Sequence, residues 1–197
     1  MDNDKNSKQK VESTVQKKLD EIKPYDYSNL KNDFSEWLKI NEDLPESFWL
    51  KVKNTNEEKN IDSMIVKIKQ ELFSLYGDKR DTAKSFQDSR FTPLSEMIER
   101  KMATCGSTTK IIGTVLRKFD IPVKFVHGIL RSQQKSFFKR VLLKERHAWL
   151  EIYAPKTKEW VPVDLTRKDF SLYPDAIKIK EYHDWGELKG DYMKGNF

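Results

Sequence analysis

Cysteine is almost missing from this chain: Cys105 is the single one in 197 residues. That excludes an intrachain disulfide framework and suits a reducing compartment. Histidine is scarce too, limited to His127, His147 and His183. These three and Cys105 show no short ligand spacing, so no metal site is expected and no cofactor is implied. No apolar run approaches the roughly 18 residues that a membrane-crossing helix needs. The N-terminus, Met1-Asp2-Asn3-Asp4-Lys5-Asn6, has no signal-peptide core. The expectation is a cytoplasmic protein with no membrane span.

What is present is polar but able to fold. Hydrophobic residues make up 37% and charged residues 35%, while aromatics reach 12% with five Trp. Side chains that large argue against wholesale disorder. The length allows one domain with a sizeable core, or a domain plus an extension. A net charge of +6 raises nucleic acid as a partner. However, 31 acidic residues interleave with 37 basic ones and no nucleic-acid motif accompanies them. A solvated, lysine-rich surface accounts for the charge.

Residues 1–56 read as a helical N-terminal extension and 57–197 as the core. In the extension, Val11, Val15, Leu19 and Ile22 form a narrow helical stripe that Pro24 stops. Ser28 caps a second helix carrying Leu30, Phe34, Trp37 and Leu38, and a short aromatic turn with Phe48 and Trp49 follows. From Ile61 to Tyr76 the stripe Ile61, Met64, Ile65, Ile68, Leu72, Leu75, Tyr76 predicts a strong helix ended by Gly77. Residues 77–93 read as a long surface loop bordering a cleft. Pro93 opens a short helix toward Lys101.

A helix then starts at Cys105 and runs to Phe119, with Ile111, Ile112, Val115, Leu116 and Phe119 on its apolar side. Cys105 lies about two turns before Ile112 on the same face. The thiol therefore sits at a helix N-terminus, where the first N–H groups and the helix dipole stabilise a thiolate. Gly113 offers a point of close approach to a neighbour. Past Asp120-Ile121-Pro122, strands are expected over Val123 to Leu130, Val141 to Tyr153 and Glu159 to Leu165, with a polar connection at 131–139. Helices first and strands after predict an α+β fold with an antiparallel sheet.

The last two strands carry the chemistry. His147, Trp149, Glu151 and Tyr153 share one face of the first; Trp160, Pro162 and Asp164 share one face of the second. Matching the aliphatic faces brings His147 and Asp164 together beside the tryptophans. Asp164 would orient the imidazole and leave its other nitrogen for the thiol. A cysteine, a strand histidine and a strand-end aspartate are the parts that acyl transfer through a thioester requires. The Cys105 backbone N–H is one oxyanion donor; Gln87, Trp49 and Ser95 are candidates for the second. His127 is the rival histidine, with no aspartate partner in an adjoining pattern.

Those residues resemble the transglutaminase-like superfamily. The likeness rests on Cys105-Gly106 at a helix start, Leu116-Arg117, Ile121-Pro122-Val123-Lys124, Val126-His127-Gly128, His147-Ala148-Trp149-Leu150-Glu151-Ile152 and Trp160-Val161-Pro162-Val163-Asp164-Leu165-Thr166. It spans roughly residues 85 to 170. The resemblance implies a papain-like transglutaminase core, in which a nucleophile helix packs on a small antiparallel sheet. It makes Cys105 the nucleophile, His147 the general base and acid, and Asp164 the orienting carboxylate. A protein or peptide amide is the implied substrate, cut as by a protease or amidase, or transferred to an amine. Hydrolysis is favoured, because the chain is small and has no calcium-loop motif. The rival is a non-catalytic module of the same fold that binds a protein partner.

Overall fold

The computed structural model describes residues 33–58, 60–77, 91–130, 145–165, 176–184 and 187. Within them the helices are α1 (Ser35–Leu38), α2 (Glu46–Val52), α3 (Ile61–Tyr76), α4 (Leu94–Glu99) and α5 (Cys105–Lys118). The strands are β1 (Val123–Leu130), β2 (Glu145–Ala154), β3 (Glu159–Val163) and β4 (Ala176–Tyr182). They form one antiparallel sheet in the order β3-β2-β1-β4. Helices followed by a small antiparallel sheet make this an α+β fold. The helix expected before Pro24, the connection at 131–139 and residues 78–90 of the long loop lie outside the described residues. So does the start of the helix expected at Ser28, of which Ser35–Leu38 is described.

The chain forms α3 where its apolar period demands it. Asn60 caps the start, its Oδ1 accepting from the Ser63 N–H at 2.8 Å. Ile61, Met64, Ile65, Ile68, Leu72 and Tyr76 are fully buried along one side. Gly77 ends the helix at φ +56°, a conformation that costs other residues dearly. Two expectations need correction. The aromatic turn is a helix, α2, because Phe48 and Val52 stand one turn apart and both are buried. A fourth strand, β4, extends the sheet beyond β1, where only three strands were expected.

Helix α5 is the centre of the molecule. Its aliphatic side packs on the sheet so closely that a Cβ on Gly113 would stand 2.5 Å from Cε1 of Phe125 and 3.0 Å from Cδ2 of Leu150. Its polar side is buried as well, and this requires partners. Lys110 Nζ meets Glu42 Oε1 at 2.7 Å and donates to the Thr92 carbonyl at 3.1 Å. Arg117 donates to the carbonyls of Lys39 (2.6 Å), Val123 (2.6 Å) and His183, and lies over the Phe125 ring. Burial lowers its guanidinium pKa to about 10, with Asp184 and Glu187 opposing. One buried cation thus ties the N-terminal segment, β1 and the chain after β4 to the central helix.

The described part of the extension lies against β2 and β3. Phe34 packs on Tyr153, with ring centroids 4.3 Å apart, and Trp37 meets Trp160 edge-on at 5.4 Å while stacking on His183 at 3.8 Å. Lys124 Nζ sits 4.4 Å from the Trp160 ring centre and 4.8 Å from that of Trp37. No described helix is long and apolar enough to cross a membrane.

Candidate active site

Cys105 is the first residue of α5, and the cap in front of it is a reciprocal one. Thr104 Oγ1 accepts from the Ser107 N–H at 3.2 Å, while Ser107 Oγ accepts from the Thr104 N–H at 3.0 Å. Ser107 Oγ also donates to the Met102 carbonyl at 2.9 Å, tying the turn to the preceding segment. The helical ladder begins with Thr108 N–H bonding to Thr104 O, so the Cys105 N–H precedes it. Sequence reading missed this cap. The Thr-x-x-Ser string was its signal, with serine in the place a capping box usually gives to Glu or Gln.

The sheet register supplies the other two groups. Leu150 pairs with Val163, Ile152 with Val161 and Tyr153 with Trp160, so the aliphatic sides of β2 and β3 coincide. His147 stands near the start of β2, and Asp164 is the first residue past the end of β3. His147 Nε2 lies 3.0 Å from Asp164 Oδ2. The imidazole also hydrogen-bonds to the Cys105 side chain. With Nε2 facing the carboxylate, Nδ1 is the nitrogen available to sulfur. The thiol is partly exposed, His147 is 6% exposed and Asp164 is fully buried.

Burial by itself lowers the His147 pKa by penalising the cation. Hydrogen bonds that the ring donates to Asp164 and then to Cys105, together with their negative charges, more than reverse this and hold it up at about 9. An imidazolium therefore persists across neutral pH. Beside it, the Trp149 ring stacks at 6.3 Å between centroids and 23° between planes, itself 3% exposed.

The other sequence candidates lie apart from this cluster. Trp49 packs on Phe119, with centroids 5.4 Å apart, and so belongs to the far end of α5, about 20 Å along the helix from Cys105. Ser95 is exposed in the first turn of α4, and Gln87 falls outside the described residues. His127 is buried in β1 opposite Ala148, on the neighbouring strand position from His147. His183 stacks on Trp37, with its Nδ1 3.3 Å from Glu36. Among the described residues, no group of three His, Cys, Asp or Glu could hold a metal ion.

A helix-borne thiol beside a strand histidine and a buried aspartate, on an α+β frame, is the layout of the papain-like class. Residues 50–165 match the model of the transglutaminase-like superfamily, and the chain belongs to that superfamily. The match begins in α2, well before the motifs around Cys105. The fold is also shared with a candidate cysteine protease from Cytophaga hutchinsonii. The two superpose at a TM-score of 0.56 with 18% identity, over 84% of this chain and 52% of that one. The present chain therefore spans about half the length of that structure. No curated protein matches the chain.

Proposed function

We propose that this protein is a cysteine-dependent enzyme that attacks an amide bond of a protein or peptide and passes through a thioester. Cys105 is the nucleophile, His147 the general acid and base, and Asp164 the carboxylate that orients the ring. The observation that carries the reading is His147 held between Cys105 and Asp164, the carboxylate being 3.0 Å away. Residues 57–197 are the catalytic core in this reading.

The steps follow from the positions. The Cys105 thiolate adds to the substrate carbonyl, and the Cys105 backbone N–H, at the positive end of α5, donates to the developing oxyanion. The His147 imidazolium gives its proton to the leaving amine, which departs and leaves the acyl group on sulfur. Neutral His147 then takes a proton from water, whose oxygen attacks the thioester and releases the acid. A second amine in place of water would give transfer instead. Hydrolysis is the preferred outcome. Proton transfer of this kind is worth about 10²–10⁴ in rate.

Labelling of Cys105 by dilute iodoacetate, an anion that a neighbouring imidazolium attracts, tests the reading. Wild-type protein reacts fast near neutral pH, and His147→Ala falls to the rate of an ordinary free thiol. Equal, slow labelling of both would refute an activated thiol and favour a binding module of the same fold. Casein incubated with and without a dansylated amine then separates cleavage from transfer.

A further inference from the structure

Asp164 lies just past the end of β3, which stops at Val163. The next residue is anchored at two points. The Leu165 side chain is fully buried in the core, and its carbonyl accepts a hydrogen bond from Lys69 Nζ at 2.5 Å. Lys69 belongs to α3, 96 residues away in sequence, and its stem runs past Phe73, whose ring centre lies 5.8 Å from Nζ. We propose that Lys69 is a positioning residue of the site: it pins the Asp164-Leu165 extension and thereby aims the carboxylate at His147.

This rests on the triad reading above and adds to it a residue outside the triad. Three observations converge. The extension leaves the sheet at the point where the carboxylate must be placed to within a fraction of an ångström. The anchoring donor is half-buried, so its bond is weakly screened. Burial lowers the Lys69 pKa, and the Asp164 charge pulls it back up, so ammonium and carboxylate feel each other directly. The buried Asp164 carboxylate thus interacts with cations from two separate elements, His147 and Lys69, so its charge is compensated whichever way the imidazole proton moves.

The test compares Lys69→Met, which keeps the apolar stem and removes the donor, with Lys69→Arg, which restores charge and donor. Two readouts are followed: iodoacetate labelling of Cys105 at pH 8, and the His147 titration by nitrogen-15 NMR. The expected result for Lys69→Met is a loss of roughly tenfold in labelling, with the His147 titration moved to lower pH as the Asp164 bond loosens. Lys69→Arg recovers both. A Lys69→Met protein with unchanged labelling and titration overturns the proposal. So does a titration moved to higher pH, since that is the signature of a lost positive charge without lost aim. If Lys69→Met does not fold, Lys69→Gln carries the same comparison. Slow labelling of the wild type would sink the thioester reading alone, because the His147 titration still reports whether Lys69 aims Asp164.

Discussion

Replacing Asp164 by asparagine isolates the carboxylate's charge while nearly preserving its shape. In the native site burial pushes the His147 pKa down, and the hydrogen bonds and charges of Asp164 and Cys105 carry it up to about 9. Without the carboxylate, burial is opposed by Cys105 alone, and the ring falls back toward its ordinary 6.5 or below. At pH 8 the protonated fraction then drops from about 0.9 to about 0.03, a factor of about 30, since each unit is tenfold in population. Nitrogen-15 NMR of the three histidines, with His147→Gln to assign the signal, reads the shift directly. Iodoacetate labelling of Cys105 reads its consequence. The native upper limb lies near pH 9, and the Asp164→Asn limb lies at least two units lower, with labelling at pH 8 reduced by an order of magnitude or more. A folded Asp164→Asn protein whose His147 still titrates near 9 would refute the reasoning, because the ring would then owe its charge to something else.

Three further outcomes follow from the packing, the cap and the protonation. Gly113→Ala drives a methyl group into the Phe125 ring, which Arg117 backs at 4.5 Å; urea denaturation should show a loss of about 1–3 kcal/mol. Thr104→Ala removes the N-cap of α5 and should cost about 1 kcal/mol in the same assay, with slower labelling of Cys105. In Cys105→Ser protein, where the thiol's own titration does not enter, Asp164 still raises His147 above 6.5. The folded state then holds the proton that the unfolded state releases, so this contribution to stability is fully present below pH 6.5 and is lost as pH rises through the folded value. Adding His147→Gln to the serine background should flatten that decline, as urea midpoints from pH 6 to 10 will show.

How far the fold could be read from the chain depends on the range of the interactions involved. Helix α3 was legible because local signals agree: an Asn cap, an unbroken apolar stripe and a terminal glycine. Which sides of β2 and β3 coincide was legible because alternation leaves one way to match the aliphatic faces; the structure then sets the pairs, Leu150 with Val163 and Ile152 with Val161. Helix α2 escaped because seven residues give a period too little length to declare itself. Strand β4 offered the alternation Ile177-Lys178-Ile179-Lys180, but exposed lysines at Lys178 and Lys180 suit a solvated tail equally well until β1 provides a partner. The polar side of α5 could not be read at all. Lys110 and Arg117 look like solvent-facing cations, and they are buried only because Glu42, Lys39 and His183 come from distant parts of the chain to meet them.

The site divides along the same line. Cys105, His147 and Asp164 of the proposed site announce themselves, because polar side chains at element ends carry local signatures: a helix start, a strand position, a strand end. The groups that hold them do not. Lys69 sits at a polar position of an amphipathic helix, where a lysine ordinarily faces water, and its bond to Leu165 crosses 96 residues. A carboxylate with no solvent exposure must have its charge met within the protein, so a search for what fixes Asp164 has to look outward from its burial. The demand on a supporting residue is set by the most deeply buried charge at a site, and in this protein that charge is the carboxylate of Asp164. Cations from a strand and from a helix answer it: the strand pattern already pairs His147 with Asp164, while nothing in the pattern of α3 points Lys69 at Leu165.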